Sequence, residues 1–368
     1  MQQEKNIKTY EPGLYFGMPF DEYLAIPALS NSGIKDFMSS PYRFWTNSWM
    51  NRDRKEREEK DYHIFGTAYH CRILEGKDVF YSQYAPEFDS ADYPDALGNT
   101  EEIKDVLREY KEAGYDVRIS GNKPFLIEQL LSVNPNAKIM DDLKNEHAKK
   151  HAGKILLSQD LIDEIEKAAY MVSLHPDASR AFSGGYPEVT VIFEVNGIMH
   201  KCRFDYLKIA CHSELKTFNM SPRNLDRVPA NETAKYRYHI QYTLYCEAAA
   251  WARKFAACGK CYKSAMFDGC LKPFPVVEET LTKWLHDFAA YDGEHKAVCV
   301  FVQKELAEIR GKIFGDSLTM DCAKVVIDEV RARFKECLDK YGECVPWLEP
   351  SPFDDFVDED FPQYMFMD

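Results

Sequence analysis

The alternation of apolar and polar residues predicts three consecutive β-strands in the middle of the chain. Segments 186–195, 198–207 and 211–218 interleave aromatic and aliphatic side chains with polar ones, as strands with one buried face do. Asn196-Gly197 separates the first two segments, and this dipeptide favours the tight turn of a β-hairpin. We therefore predict a hairpin that is followed closely by a third strand.

Residues with a helical apolar period lie on both sides of these strands. Segment 158–175 predicts an amphipathic helix before them, and 233–257 predicts a long helix after them. Segments 261–267 and 297–302 predict further strands, and 321–341 predicts a last helix. The central part of the chain therefore has the order helix, three strands, helix, strand.

Turn-forming and aromatic residues dominate positions 10–50. Ser30 or Ser32 is a candidate N-cap for a short helix, because a hydroxyl at this place accepts a bond from a free backbone N–H. Pro41 would end this helix or start the next one. We therefore predict short helices and turns in this stretch.

Residues 85–155 predict an inserted helical segment. It contains a helix over 101–113, a tight connector and a second helix over 124–133. This arrangement resembles the SAP and related helix-extended-helix DNA-binding modules. The resemblance implies that Arg118 and Lys123 contact phosphates, and a purely structural helical hairpin is the alternative.

Length and composition favour a soluble protein that is large enough for a catalytic domain. The 368 residues, 45% of them apolar, suffice for a packed core and an enlarged catalytic domain. No stretch approaches the roughly 20 apolar residues of a membrane span, and residues 1–6 lack the apolar core of a secretory signal. The eleven cysteines are scattered, which indicates reduced thiols. We therefore expect a cytoplasmic protein with no membrane partner.

The formal net charge of -14 argues against a broad basic surface for nucleic acid. It is compatible with a narrow basic lining inside an acidic shell. Much of the negative charge lies in residues 353–361, where acidic residues alternate with phenylalanines. This segment predicts a solvated tail, with a partner-docking peptide as the alternative.

The candidate chemistry lies on the second and third of the predicted strands. Glu214 and Lys216 are two residues apart, so they project from the same face of their strand. A hairpin would bring the Asp205 carboxylate beside that of Glu214. Two carboxylates suit Mg2+ or Mn2+, which keep coordination positions for water and a phosphate oxygen. Lys216 would orient or deprotonate the attacking water, or stabilise charge on phosphorus. An ordinary amphipathic hairpin is the structural alternative.

The element order and this constellation together resemble the PD-(D/E)xK nuclease fold, which keeps its metal site on the second and third strands. The resemblance implies an α/β (α+β) protein with a restriction-endonuclease-like core, in which helices flank a mixed central sheet and a small helical insertion is added. The predicted divisions are an N-terminal part of the nuclease domain with a histidine motif (1–84), the insertion (85–155), the nuclease core (156–345) and an acidic-aromatic tail (346–368).

An ordered set of segments further resembles the RecE-like exonucleases (exodeoxyribonuclease VIII type) of the RecB-family branch. The segments are Leu29-Ser-Asn-Ser-Gly-Ile-Lys with Ser40-Pro-Tyr-Arg-Phe, Gly66-Thr-Ala-Tyr-His70, Pro187-Glu188-Val-Thr-Val, Arg203-Phe-Asp205, Glu214-Leu-Lys216-Thr217 and Gln241-Tyr-Thr-Leu-Tyr245. Glu214 is a departure, because the closest RecE sequences more often carry Asp there. The change alters side-chain reach and leaves the chemistry in place.

This resemblance implies roles for individual residues. His70, Asp205 and Glu214 are implied metal ligands, joined by the Leu215 backbone carbonyl and, at a second metal, by Glu188. Lys216 is implied to serve the attacking water. Gln241 and Tyr245 lie four apart, on one helical face, and would position the DNA strand or the water. Predicted DNA contacts are Ser30, Ser32, Arg203, Thr217, Arg237, Arg118 and Lys123.

The implied activity is Mg2+-dependent 5'-to-3' digestion of linear double-stranded DNA, with Mn2+ as a substitute metal. The product would be a 3' overhang for a RecT-like single-strand annealing protein in a bacterial or phage-infected cell. Such enzymes form rings, here expected as a trimer or tetramer. A ring would reconcile the acidic total charge with DNA binding, because its channel alone must be basic. Channel candidates are Lys201, Arg203, Arg223, Arg227, Lys235 and Arg237.

Three alternatives to the RecE-like interpretation belong to the same superfamily. Some RecB-family members hold an iron-sulfur cluster on four cysteines. Cys258, Cys261 and Cys270 lie after the long helix, but Ser40 stands where the N-terminal cysteine would be, so no cluster is expected. The second interpretation is a PD-(D/E)xK endonuclease, and the third is a catalytically inactive platform that binds DNA ends or a recombinase. The complete set of candidate site residues argues against the inactive platform.

Overall fold

The computed structural model describes residues 10–54, 61–219, 224–264, 271–273, 279–349 and 357–360. Its contacts divide the chain into two compact units. The larger unit is formed by Met1–Lys60 with Val172–Asp368, and the smaller by Asp61–Met171. The domain boundaries predicted from the sequence stay predictions. The last three residues of the predicted strand 261–267, Arg223, Cys270 and most of the acidic tail lie outside the described residues.

The described strands and helices are numbered along the chain. The strands are β1 Gly13–Phe16, β2 Tyr84–Pro86, β3 Ile155–Leu157, β4 Tyr186–Val195, β5 Ile198–Leu207, β6 Cys211–Phe218, β7 Cys261–Ser264, β8 Leu271–Pro273, β9 Lys296–Gln303 and β10 Ile309–Phe314. The α-helices are α1 Phe20–Ala25, α2 Asn31–Ser39, α3 Pro41–Asn47, α4 Asp61–His70, α5 Lys77–Gln83, α6 Thr100–Glu112, α7 Lys123–Val133, α8 Met140–Lys150, α9 Gln159–Leu174, α10 Pro176–Ala181, α11 Val228–Tyr236, α12 Tyr238–Cys258, α13 Glu279–Ala290 and α14 Leu318–Tyr341. Within the described ranges, every helix is too short or too polar to span a bilayer.

The larger unit is built on an eight-stranded mixed sheet, mostly antiparallel. The strand order is β10-β9-β6-β5-β4-β1-β7-β8. The pairs β6 with β9 and β1 with β7 are parallel. The three strands predicted over 186–218 are confirmed with the same bounds. Asn196 and Gly197 both have positive φ, as the predicted two-residue hairpin turn requires. The site residues therefore lie on central strands of the sheet.

Helices cover both faces of this sheet. Apolar residues of α2, α3, α12, α13 and α14 form the main core against β1, β4 and β5. On the opposite face, Tyr23 of α1 packs with Tyr15 and Ile192. Ser30 is confirmed as the N-cap of α2, where its Oγ accepts from the Gly33 N–H at 3.2 Å, and Pro41 starts α3. The described part thus has the predicted fold class, with helices flanking a mixed sheet.

Two features of the larger unit differ from the sequence predictions. The helix predicted over 233–257 is broken at Arg237, which has φ 53° and ψ 45° and separates α11 from α12. The stretch predicted to hold only helices and turns contributes β1, which lies inside the sheet between β4 and β7. β1 has four residues, and a strand this short carries too little alternation to be recognised.

The smaller unit has its own helical core. Ile103 and Leu107 of α6 pack with Leu126 and Leu130 of α7, which confirms both predicted helices. Strands β2 and β3 form a separate two-stranded parallel sheet. The helix predicted over 158–175 is confirmed as α9, which begins in this unit and ends in the larger one.

A buried histidine on β5 should make the fold sensitive to acid. His200 is fully buried, and its Nε2 accepts from the Arg331 Nε at 3.1 Å. Burial, and then the Arg331 charge, lowers the pKa of His200 to about 3. Since an unfolded histidine has a pKa near 6.5, the stabilisation is complete above that pH and is lost as the pH falls toward 3.

We expect His200 alone to remove about 2 kcal/mol of unfolding free energy between pH 7 and pH 5. Urea unfolding at both values measures the difference. His200→Gln, which has no proton to take up, should show a smaller loss over the same interval. An equal loss in parent and variant would contradict this assignment.

Candidate active site

Two neighbouring strands bring Asp205 and Glu214 together. Strands β5 and β6 pair antiparallel with Tyr206 opposite Ser213, so the same register places Asp205 opposite Glu214. The Leu215 N–H donates to Asp205 Oδ2 at 2.8 Å, and the Asp205 N–H lies 3.5 Å from Glu214 Oε1. Each carboxylate is therefore oriented by the backbone of the other strand.

Lys216 completes this cluster, as its spacing of two from Glu214 predicts. Its Nζ donates to Glu214 Oε2 at 3.0 Å and lies 3.7 Å from Asp205 Oδ2. Burial alone would lower the pKa of Lys216, but the charges of Asp205 and Glu214 together raise it above its usual value. In this arrangement Lys216 is an ammonium ion, so it acts here as a cation.

The partners of Glu214 do not fully offset a negative charge on its carboxyl group. Its side chain is fully buried, and it accepts hydrogen bonds from Lys216 and from Gln241 Nε2 at 2.5 Å. Burial, and then the charge of Asp205, nevertheless raises the pKa of Glu214 above the usual carboxyl range. A divalent cation would relieve this cost, because metal-bound carboxylates are held deprotonated. The donors therefore fit a hard, oxygen-preferring cation.

Glu188 brings a third carboxylate to the same strands. The β4–β5 register, with Pro187 opposite Tyr206 and Val189 opposite Phe204, places Glu188 opposite Asp205. Oxygens of these two carboxylates lie within 4.8 Å of each other. Glu188 has a φ of 52°, a left-handed conformation that costs a non-glycine residue about 1 kcal/mol. Such strain concentrates at functional sites.

Comparison with known proteins identifies the family. The family model described as "PDDEXK-like domain of unknown function (DUF3799)" matches residues 30–258, which is more than half of the chain. The chain belongs to this PDDEXK-like family. The matched range contains the three carboxylates, Lys216 and α12. Membership supports the predicted PD-(D/E)xK fold class.

Two other comparisons accompany the family match. None of the curated proteins compared with the chain matches it. A crystal structure named "Putative exonuclease", from Eubacterium rectale, is 12% identical in sequence. The superposition covers 84% of this chain and 79% of that one, with a TM-score of 0.41.

His70, a further predicted ligand of this PDDEXK-like domain, lies in the smaller unit. It is the last residue of α4 and is followed directly by a π-helix over Cys71–Glu75. π-Helical turns are rare and recur at functional sites. Its role as a metal ligand, and that of the Leu215 carbonyl, stay predictions.

Gln241 and Tyr245 lie on α12 as the sequence predicts, but the two side chains have different surroundings from each other. Gln241 donates directly to Glu214. Tyr245 is buried, and its ring packs against Phe204 and His212, with centroids at 5.3 and 5.7 Å. Gln241 therefore supports a carboxylate of the site, while the contact of Tyr245 with DNA or water stays a prediction.

Among the predicted DNA contacts, several residues have partners inside the protein. Arg203 Nε pairs with Glu188 Oε2 at 2.5 Å, and its Nη1 donates to the Met18 carbonyl. Lys123 pairs with Asp141. Ser32 Oγ lies 2.9 Å from Ser30 Oγ, Thr217 is half-buried, and Arg118 and Arg237 are exposed. Their DNA contacts stay predictions.

The structure corrects the prediction made for Lys201, one of the channel candidates. Its side chain is buried, and Nζ donates to the carbonyls of Tyr23, Leu24 and Ile26 at 2.8 to 3.0 Å. These carbonyls belong to the last turn of α1 and the residue after it, so Lys201 caps a helix. The prediction that Lys201 lines a basic channel is wrong. The positions of basic residues in the sequence do not show which face of a strand is covered by a helix.

A row of polar residues lies beside the site and is absent from the residues predicted from the sequence. His212 precedes Glu214 by two residues, and its Nδ1 lies 3.3 Å from His295 Nε2. His295 Nδ1 in turn lies 2.8 Å from Arg253 Nη2. Burial lowers the pKa of His212 to about 3 and that of His295 to about 2, so both rings are neutral. The period of two in His212, Glu214 and Lys216 could have indicated the first member of the row.

Proposed function

We propose that the protein is a divalent-metal-dependent exodeoxyribonuclease that degrades linear double-stranded DNA. The observation that carries the proposal is the buried cluster of Asp205, Glu214 and Lys216, where two facing carboxylates and an ammonium ion share one end of a strand pair. Membership of the PDDEXK-like family supports the assignment to phosphodiester chemistry.

The chain's own residues would divide the work as follows. Asp205 and Glu214 would hold Mg2+ or Mn2+, with Glu188, His70 and the Leu215 carbonyl as further ligands. Such an ion, when bound, lowers the pKa of a coordinated water and neutralises phosphate oxygens. Lys216 would orient this water and offset the negative charge that grows on the phosphate. Gln241 would keep the Glu214 carboxylate in place.

The finer parts of the proposal rest on the RecE-like motifs. They are 5'-to-3' polarity, 5'-phosphate products, a 3' overhang passed to a single-strand annealing protein, and a trimeric or tetrameric ring in the bacterial or phage-infected cytoplasm. The ring agrees with the acidic total charge, since DNA inside a channel meets only its lining.

Linear and covalently closed circular duplex DNA test the proposal in one assay. With Mg2+ the linear form should lose one strand from each end, which releases mononucleotides and leaves single-stranded DNA, and the circle should stay intact. Nicking or linearisation of the circle would indicate an endonuclease instead. No cutting of either form would contradict the proposed activity. A parallel comparison of 5'-phosphorylated and 5'-hydroxyl ends reports the polarity.

Gln241→Leu should weaken the metal site without removing its ligands. Loss of the hydrogen bond to Glu214 frees this carboxylate to turn, and supporting bonds of this kind typically contribute about 10-fold or more to metal affinity. We expect the Mg2+ concentration for half-maximal cleavage to rise by about that factor. Thr243→Ala, on the same helix, is the control and should match the parent. An unchanged Mg2+ dependence in Gln241→Leu would contradict the role.

A further inference from the structure

The break between α11 and α12 turns two tyrosine rings to the same side. In a continuous helix, residues two apart project in nearly opposite directions. Here Arg237 adopts a left-handed conformation that non-glycine residues rarely take. As a result the rings of Tyr236 and Tyr238 stack, with centroids 5.5 Å apart and planes inclined by 30°. We call these two rings the tyrosine platform.

The tyrosine platform begins beside the proposed reaction centre. Lys216 Nζ lies 5.4 Å from the centroid of the Tyr238 ring, and Lys35 Nζ lies at the same distance from it. Lys35 also donates to the Tyr236 carbonyl at 2.7 Å, which ties α2 to the end of α11. The platform is therefore held from both sides and is one side chain away from Glu214.

The outer end of the platform is open and basic. Tyr236 is 45% exposed, so a large part of its side chain is accessible to a ligand. The Nζ of Lys235 lies 4.6 Å from its ring centroid, and Arg237 is exposed next to it. Glu232 is an acidic residue close enough to Lys235 and Tyr238 to interact with both electrostatically. Against a chain of net charge -14, this concentration of cations marks a place for an anion with a flat, apolar part.

We propose that the tyrosine platform, with Lys35, Lys235 and Arg237, is a subsite that stacks an unpaired nucleotide of the DNA strand beside Lys216. An exposed aromatic ring next to cations is the arrangement that binds single strands, since every base has a stacking face and every nucleotide a phosphate. The subsite would hold the strand without regard to base identity. This inference rests on the proposed function and adds the residues that hold the strand.

Paired oligonucleotides separate stacking from charge. One is a fluorescein-labelled thymidine 15-mer, and the other has the same backbone with abasic sites in place of the bases. Binding to both is measured by fluorescence anisotropy in EDTA, which prevents metal-dependent cleavage. We expect the parent to bind the base-bearing strand about 10-fold more tightly than the abasic one. Tyr236→Ala should lose most of this preference, and Tyr236→Phe should keep it.

Two further measurements complete the test. Tyr170→Ala is the matched control, because Tyr170 is 62% exposed on α9 of the smaller unit, outside the segment with predicted DNA contacts, and it should bind like the parent. Lys235→Gln should weaken binding to both strands equally and reduce the slope of log affinity against log salt by about one. Unchanged thermal melting of each variant shows that the fold is kept.

The outcomes distinguish this inference from the proposed function. If the parent cleaves linear duplex DNA but Tyr236→Ala retains the full preference for the base-bearing strand, the subsite is wrong and the nuclease assignment stands. If the parent shows no preference between the two strands, the subsite is wrong as well. If the parent neither cleaves nor binds DNA, both proposals fail together.

Discussion

Lys216→Met is expected to lower the rate of DNA cleavage at least about 100-fold at saturating metal, the loss typical when a charged group that stabilises a transition state is removed. Methionine keeps most of the side-chain volume beside Tyr238 but cannot offset charge on the phosphate. The loss should appear in kcat more than in KM, since Lys216 would act on the growing charge and not on the bound ground state. Single-turnover cleavage of an end-labelled duplex measures this rate.

Lys312→Met is the matched control, because Lys312 is an exposed lysine on edge strand β10 of the same sheet. It should cleave at the parent rate. Lys216→Arg keeps the charge in a larger head group and should retain part of the activity. Cleavage by Lys216→Met at the parent rate would remove the central part of the proposed mechanism.

Divalent metal is expected to stabilise the parent and to leave Asp205→Asn/Glu214→Gln unaffected. A ligand that binds the folded state at 100 times its dissociation constant adds about 2.7 kcal/mol to the unfolding free energy. Thermal melting with and without Mn2+ should therefore shift upward by several degrees in the parent. The double variant lacks both charged ligands and should show no comparable shift.

A single variant that keeps a partner for Lys216 gives the metal-free comparison. Because burial and the Asp205 charge raise the pKa of Glu214, the site without metal disfavours two negative charges. Glu214→Gln removes this repulsion and leaves Asp205 beside Lys216, so the metal-free single variant should melt at or above the parent temperature. Its Mn2+ shift should nevertheless be smaller than that of the parent, and this combination excludes general damage to the fold as the cause. An equal Mn2+ shift in both proteins would place the metal elsewhere.

The central strands and their chemistry could be predicted because both depend on local periodicity. The period of two fixes which side chains of a strand share a face, so the spacing predicts Glu214 and Lys216 on one face, and the hairpin predicts Asp205 beside Glu214. The Asn196-Gly197 turn set the register of β4 against β5 for the same reason. These features depend on residues that are close together in the sequence.

Other features depend on contacts between distant segments. Arg237 carries no residue-type preference for the left-handed conformation, so the break in the long helix is invisible in the sequence. Lys201 looks like any basic residue until α1 presents three carbonyls to it. The strained Glu188 and its bond to Arg203 likewise depend on the pairing of β4 with β5.

The hydrogen bonds between the site residues of β5 and β6 link the assembly of the proposed site to the pairing of these two strands. Asp205 is held by the Leu215 N–H, so the two carboxylates meet only when these strands pair in the native register. A slip of one residue would turn Glu214 and Lys216 to the opposite face. A partly folded or misregistered chain would thus lack the assembled site until β5 and β6 have paired.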